Sequence, residues 1–235
     1  MKLLIINKKT IYTILIIIFI IIVASIYIST YSRIDETFNT DIYYKGNVDE
    51  KVVTFACNVD WGNEHIPPML EIFKDYDITI TYFVTGKWAE ENPELLKTIY
   101  DHGHEIGNHG YRHVDYDKLG YEKNKEEIIK AHNIIKNTLG IESTYFAPPS
   151  GAYNDDTIKA AKDLNYDIIM WSIDTIDWRQ DATKDKIIDR VINKIHNSAI
   201  ILMHPTEETL LALPEVIKYL FDKDYEITTV GNVVK

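Results

Sequence analysis

The sequence predicts an α/β fold in which a parallel sheet closes into a barrel. From about residue 51 onward, short runs of β-branched and aromatic residues alternate with segments of helical periodicity. The clearest runs are nearly continuously apolar, which is typical of strands covered on both faces. Seven such units follow one another without a long break, and this regular alternation favours a closed barrel.

The strands and helices are predicted from these runs and from helix start and stop signals. The seven predicted strands are 52–57, 78–84, 104–107, 144–147, 167–171, 199–203 and 226–230. The predicted helices are 68–75, 93–101, 117–139, 155–164, 184–196 and about 209–222. Pro68 and Pro93 stand at first-turn positions, where proline is favoured. Gly140 provides a stop for the longest helix.

The N-terminal region differs from the rest of the chain. Residues 11–28 carry no charge and are long enough to cross a bilayer. Lysines precede this run, so the positive-inside tendency places residues 1–10 in the cytoplasm, a transmembrane anchor at 11–29 and the remainder outside. The prediction is therefore a single-pass cell-membrane protein with an extracytoplasmic globular domain.

A cleaved signal peptide is the alternative to the anchor. Its apolar region would span about 7–15 residues and end at a small-x-small site. Here the run is longer, and the best site, Val23-Ala24-Ser25, lies inside it. Residues 30–50 are polar without a sustained period and predict a linker, which leaves 51–235 as one domain.

Charge and cysteine content exclude some classes of protein. A net charge of −11 without a basic stripe argues against nucleic acid as a partner. The single cysteine, Cys57, rules out an internal disulfide framework and a thiolate zinc cluster. Its place in an apolar run indicates a buried, inert thiol. The oligomeric state is left open by the sequence.

Polar residues follow the predicted strands where those strands end. Asp60 follows the first strand, His109 and His113 follow the third, Asp174 and Asp177 follow the fifth, and His204 ends the sixth. In β/α barrels the loops at the carboxyl ends of the strands meet at one rim, where the chemistry occurs. These side chains are therefore expected to converge on one site.

The histidine spacing favours a metal site. On a helical turn, His109 and His113 would present both imidazoles on one face to a single divalent cation. With Asp60 they would form a two-histidine, one-carboxylate set with open positions for water and substrate. Such a set suits Zn²⁺, Co²⁺ or another first-row metal, which acidifies a bound water and polarises a carbonyl oxygen.

Four motifs, in this order, carry a family resemblance: HGYRH at 109–113, FAPPSG at 146–151, SIDTIDW at 172–178 and LMH at 202–204. Over residues 51–235 the chain resembles the NodB-homology domain of the polysaccharide deacetylases, carbohydrate esterase family 4. The resemblance implies a distorted seven-stranded barrel. It also implies a hydrolase that removes N-acetyl groups from amino sugars of peptidoglycan or chitin-like polymers, with metal-bound water attacking the acetamide carbonyl.

The resemblance also implies a role for each matching residue. His109 and His113 match the metal-binding histidines, and His204 matches the general acid on the leaving amine. Asp177 matches the carboxylate that orients His204, and Asp174 is expected to have a structural role or to cap a loop.

Aromatic and apolar residues complete the expected site. Trp178 and Leu202 match residues that line the acetate pocket. Tyr153 and Trp171 are candidates for stacking on sugar rings, with a place in the core as the alternative for each.

Three motifs depart from the family pattern. The first motif puts Asn58 at the position of the general base and Val59 at that of the aspartate metal ligand. Asparagine cannot accept a proton near neutral pH, and valine cannot bind metal. Ala147 stands in place of an arginine that pairs with the base, and Gly110 replaces a serine or threonine.

Asp60 is thus the carboxylate near the end of the first strand that could complete the site, as metal ligand or as base. Glu64 is a second candidate for the base, its alternative being a helix N-terminal acid that interacts with the helix dipole.

Three functions compete on these observations. The leading one is a membrane-anchored, metal-dependent deacetylase of cell-wall amino-sugar polymers. The alternative is a weak or inactive deacetylase-like protein that binds glycan for envelope or spore assembly, which the substitutions at Asn58, Val59 and Ala147 favour. A hydrolase of another amide, such as a small cyclic amide, is the third, and a membrane anchor is an unusual setting for it.

Overall fold

A computed structural model describes residues 8–9, 12, 15–25, 41–47 and 49–234. The chain divides into two units, Met1–Asn39 and Thr40–Lys235. In the first unit, residues 15–25 are helical. Among the described positions, no helix has both the length and the apolar character needed to cross a membrane. The predicted anchor at 11–29 includes positions outside the described residues and stays a prediction.

The second unit is built on a parallel sheet, as predicted. Its strands are β1 Ile42–Tyr43, β2 Val52–Val59, β3 Thr81–Val84, β4 Glu105–Asn108, β5 Tyr145–Phe146, β6 Asp167–Ile169, β7 Ile173–Asp174, β8 Ile200–Met203 and β9 Glu226–Ile227. The strand order is β1-β6-β5-β4-β3-β2-β8-β7, and β9 pairs with β2. Seven strands from β6 to β7 form a curled sheet that fits a distorted barrel, although no ladder joins β6 to β7 among the described residues.

Two strands differ from the sequence prediction. The seventh place of the curled sheet is taken by β7, two residues inside the SIDTIDW motif, and not by the predicted strand at 226–230. At the other edge, β1 lies within the predicted linker at 30–50 and pairs with β6. The folded unit therefore begins earlier than residue 51. Both strands are two residues long, which is too short to produce a period in the sequence.

The predicted helices are all present, and two further ones were missed. The helices are α1 Ile66–Asp75, α2 Gly86–Glu91, α3 Pro93–Asp101, α4 Tyr121–Leu139, α5 Asp155–Asp163, α6 Lys184–Ile192, α7 Glu207–Asp222 and α8 Val230–Val233. Gly140 ends α4 in the left-handed conformation, φ 73°. The missed helices, α2 and α8, have six and four residues and show no amphipathic repeat.

Successive side chains of β2 point to opposite faces of the sheet, and this alternation determines which of them lie inside the curl. Cys57 and Val59 are fully buried in the main core, between the sheet and the helices. Ala56 points the other way and packs with Phe83 inside the curl of the sheet. This interior is narrow, since a Cβ on Gly107 would lie 2.3 Å from the Phe83 ring. Side chains of β2 that point the same way as Ala56 therefore lie inside the curl, and the last of them lies at its open end.

Candidate active site

A cavity of about 430 Å³ opens at the carboxyl ends of β2, β4 and β8. Its lining residues are Asn58, Asp60, Trp61, His109, His113, Ser150, Trp171, Asp174, Trp178, Leu202 and His204. The lining includes six of the predicted site residues, contributed by separate strand ends. The expected convergence of these side chains on one rim is therefore observed.

The carboxylate of Asp177 holds His204. The Nδ1 atom of His204 lies 2.7 Å from Oδ1 of Asp177. The other oxygen, Oδ2, accepts from the backbone N–H of His204 at 2.7 Å and from the hydroxyl of Thr209 at 2.6 Å. Because a carboxylate accepts at Nδ1, that atom carries the proton and Nε2 is left for chemistry in the cavity.

His109 is held by a backbone carbonyl. Its Nδ1 lies 2.7 Å from the oxygen of Ala147, so Nδ1 donates and Nε2 carries the lone pair. The Nε2 atom is buried and has no hydrogen-bond partner among the described residues. Burial lowers the pKa of His109 to about 3, with the neighbouring His113 as the second cause. The imidazole is therefore neutral at physiological pH, as a metal ligand must be.

His113 lies beside His109, with 5.3 Å between the ring centroids and an angle of 68° between the rings. His113 itself is exposed. The two imidazoles face the same cavity, although no described helix spans residues 109–113. They are brought together by a loop, and not by the helical turn that their spacing suggested.

Asp60 is fixed at the end of β2 by Thr85. The hydroxyl of Thr85 donates to Oδ1 of Asp60 at 2.7 Å and also accepts from the N–H of Trp88 as the N-cap of α2. The loop then turns at Gly62, where φ is 85° and a Cβ would lie 2.2 Å from the oxygen of Pro205. The loop that follows Asp60 therefore packs directly on the loop that follows His204.

The donors in this cavity suit a divalent metal, but they are not gathered into a closed ligand set. A neutral histidine with a buried, unpartnered Nε2, a second imidazole beside it and a carboxylate at the same rim are the ligand types that zinc uses. Even so, no three His, Cys, Asp or Glu side chains of the described part of the chain lie close enough together to hold a metal ion.

The first-motif departures have different structural consequences. Asn58 lines the cavity, is 5% exposed, and its Oδ1 has no hydrogen-bond partner in the described chain. Val59 points away, into the main core. The cavity thus contains an uncharged amide near Asp60. Ala147 has its side chain in the interior cluster, while its carbonyl orients His109.

Besides Asp177, which lies buried behind His204, two further candidates lie outside the cavity lining. The hydroxyl of Tyr153 lies 2.7 Å from that of Tyr44, and the Tyr153 ring packs against a buried cluster that includes Tyr116 and Phe146. The Glu64 side chain is 74% exposed and lies 3.7 Å from His65. By contrast, Asp174 lines the cavity and accepts from the N–H of Ile176 at 2.7 Å, the loop-capping contact expected of it. Burial raises the pKa of Asp174.

Sequence reasoning missed two lining residues. The Trp61 ring is parallel to that of His204 within 3°, at a centroid distance of 6.2 Å, and the residue is 47% exposed. Its position directly after Asp60, at a strand end, was a usable signal. Ser150 lines the cavity with a φ of 57°, a conformation for which the sequence gives no signal.

Comparison with known proteins identifies the family. The family model for polysaccharide deacetylase matches residues 45–169. YlxY of Bacillus subtilis is 40% identical over 85% of this chain, and the match spans 62% of YlxY. PdaA of Bacillus subtilis, a peptidoglycan-N-acetylmuramic acid deacetylase, is 29% identical over 83% of this chain and 75% of its own.

Solved structures show the same fold. The crystal structure of BA3943 from Bacillus anthracis, a pseudoenzyme of the CE4 family, superposes with a TM-score of 0.82 at 36% identity, over 85% of this chain and 71% of that one. A BA3943 mutant has restored enzymatic activity. Family match, relatives and fold agree, and the chain therefore belongs to the polysaccharide deacetylases of carbohydrate esterase family 4.

Proposed function

We propose that this protein is a metal-dependent N-deacetylase of cell-wall amino-sugar polymers, peptidoglycan or a chitin-like glycan. The observation that carries the proposal is the pair of His204 and Asp177, whose Nδ1–Oδ1 distance is 2.7 Å, at a cavity that also contains His109 and His113. A protein that only binds glycan has no need of a histidine held by a buried carboxylate. The relation to peptidoglycan deacetylases supports the same substrate class.

Asp60, His109 and His113 are the proposed ligands of a divalent metal, zinc in the first place and cobalt or another first-row metal as alternatives. Metal binding would draw these three side chains closer together than they lie in the structure. The support is chemical: a neutral, unpartnered Nε2 on His109, a neighbouring imidazole, and a carboxylate held at the rim by Thr85. When bound, such a metal polarises a carbonyl oxygen and acidifies water. The alternative role for Asp60 is that of the general base.

The remaining residues act on the leaving group and on the acetyl group. His204, oriented by Asp177, presents Nε2 to the cavity and can donate a proton to the leaving amine nitrogen. Leu202 and Trp178 supply apolar surface on the same cavity, which suits the acetyl methyl group. The Trp61 ring lies parallel to that of His204 at a centroid distance of 6.2 Å and adds a further aromatic surface to the cavity.

Metal binding by the purified full chain tests the ligand assignment. Zinc titration followed by calorimetry should give one site in the wild type and a loss of at least about 100-fold in affinity in Asp60→Ala, since one of three ligands is removed. Glu64→Ala removes a nearby exposed carboxylate and should bind zinc as the wild type does. Unchanged zinc affinity in Asp60→Ala would overturn the ligand role.

A second function is favoured by one observation, the amide of Asn58 at the cavity. If this alternative holds, the protein binds amino-sugar glycan during envelope or spore assembly and removes its acetyl groups slowly or not at all. The similarity to a CE4 pseudoenzyme is compatible with it. Glycan binding without acetate release, with zinc or cobalt supplied, would select this alternative.

Membrane attachment through residues 11–29, with the catalytic domain outside the cytoplasm, is part of the proposal. It is supported by the uncharged run 11–28 and the lysines before it. The full chain should sediment with membranes, and its C-terminal domain should be cut by protease added outside intact, wall-stripped cells. Release of the domain in soluble form would contradict the anchor.

A further inference from the structure

We infer that Asn58 and Trp61 recognise the substrate, with the Asn58 amide pairing with the acetamide group of an N-acetylated sugar and Trp61 stacking on the sugar ring. This inference rests on the substrate class of the proposed function. Asn58, which stands in place of the usual base, thereby has a role in binding. Trp61 contributes a sugar contact that the family motifs do not supply.

Asn58 has the surroundings of a ligand-binding amide. It lies on the face of β2 that points inside the curl, two residues after Ala56; it is 5% exposed and lines the cavity. Its Oδ1 has no hydrogen-bond partner within the described part of the chain. Buried side-chain polar atoms are nearly always paired, so an unpaired oxygen on a residue that lines a cavity calls for a partner there.

An acetamide is the complementary partner. A carboxamide offers both a donor and an acceptor, and an acetamide offers an N–H and a C=O that match them. A deacetylated sugar presents an ammonium group, which can pair with the amide oxygen but leaves the amide NH₂ without an acceptor. Asn58 should therefore discriminate between acetylated and deacetylated sugars.

Trp61 has the surroundings of a sugar platform. It is 47% exposed, yet its loop is fixed by the contact of Gly62 with Pro205 and by the stacking of Trp61 alongside His204. Trp178, 57% exposed, lines the same cavity. Large, exposed aromatic rings at a cavity mark a binding surface. A ring face contacts the C–H groups of a sugar whether or not its nitrogen is acetylated.

The two contributions are separable by experiment. The full chain, treated with a chelator so that no substrate is consumed, is titrated with tetramers of N-acetylglucosamine and of glucosamine, and binding is measured by calorimetry. The wild type should bind the acetylated tetramer at least about tenfold more tightly. Asn58→Ala should lose that preference, while Trp61→Ala should weaken binding of both tetramers by about tenfold and Trp61→Phe should restore part of it.

Controls keep the test interpretable. Tyr100→Ala removes an exposed aromatic ring that does not line the cavity and should bind as the wild type does. Asn58→Asp keeps the size of the side chain and removes the donor, so it should also lose the preference even if Asn58→Ala folds poorly. A preference that persists in both Asn58 variants, or unchanged binding in Trp61→Ala, would overturn the inference.

Failure of this inference is distinct from failure of the proposed function. If the wild type releases acetate while the Asn58 and Trp61 variants bind as it does, the inference is wrong and the deacetylase assignment stands. If the variants behave as expected while no acetate appears with any metal, recognition stands and catalysis does not.

Discussion

The Nδ1 atom of His204 lies 2.7 Å from Oδ1 of Asp177, a carboxylate whose side chain is fully buried and whose other oxygen accepts two further hydrogen bonds. This arrangement fixes both the orientation and the tautomer of the imidazole, so that Nε2 faces the cavity. The pair is formed by residues from two loops, one after β7 and the other after β8, that are adjacent because those strands pair in parallel.

Asp177→Asn tests this pair. The amide keeps the size of the side chain but no longer requires a proton on Nδ1, so His204 loses its defined tautomer. Acetate release should fall by about 10²–10⁴-fold. Thr209→Val removes one hydrogen bond to Oδ2 and leaves the Oδ1 contact, and it should cost less than about tenfold. Full activity in Asp177→Asn would contradict the role given to His204.

Asn58→Asp tests whether the missing base limits catalysis. A carboxylate at this cavity position can accept a proton from water, which asparagine cannot. The turnover rate should rise by about 10²-fold or more, even though binding of the acetylated sugar weakens. Asn58→Leu is the matched control, because leucine has nearly the size of asparagine but cannot accept a proton, and it should bring no gain. A rate that stays unchanged in Asn58→Asp would show that the base is supplied elsewhere.

Glu127→Gln tests how the histidine loop is held. Glu127, on α4, is buried and accepts from the N–H, Nε and Nη2 of Arg112 at 2.9, 3.1 and 2.6 Å. Arg112 lies between His109 and His113 in sequence, so the pairing fixes the backbone that carries His113. Zinc affinity should fall by about 10–100-fold.

The control for Glu127→Gln is Glu126→Gln, an exposed neighbour on the same helix that pairs with Lys123. It should leave zinc affinity unchanged. A lower melting temperature of Glu127→Gln with wild-type zinc affinity would assign Glu127 to stability alone.

His104 makes the stability of the fold depend on pH. It is 3% exposed, its Nδ1 accepts from the N–H of Ile80, and burial lowers its pKa to about 4, with His102 as a second cause. The unfolded chain, with a histidine pKa near 6.5, binds more protons than the folded chain between pH 4 and 6.5. Stability should therefore be complete above pH 6.5 and decline as the pH falls towards 4.

Urea unfolding at several pH values measures this effect. His104→Gln should reduce the pH dependence of the unfolding free energy within that window by about 1.4 kcal/mol per pH unit. His65→Gln controls for the loss of an imidazole elsewhere in the chain. The same slope in His104→Gln as in the wild type would show that other groups cause the pH dependence.

Much of the fold could be predicted because strands buried on both faces are almost continuously apolar, as β8 is throughout and β2 is apart from Thr54 and Asn58. The two-residue strands β1 and β7 could not be predicted, because they are strands only through their pairing with β6 and β8. The cavity residues that belong to the motifs could be predicted because each of them follows the end of a predicted strand. Ser150 was not, because its contribution depends on a left-handed backbone conformation.

The roles of Asn58 and Val59 also needed the structure. Both follow the same apolar run, and the sequence alone left them as two equivalent departures from the family pattern. Alternation along β2 separates them, with Asn58 at the cavity and Val59 in the core.

Acetate release from an N-acetylglucosamine tetramer and from peptidoglycan tests the central claim most directly. The full chain is assayed as purified, after chelation, and after zinc is added back. A metal-dependent deacetylase should release acetate, lose that activity on chelation and regain it with zinc. Absence of acetate under every condition, with either substrate and with cobalt in place of zinc, would contradict the claim.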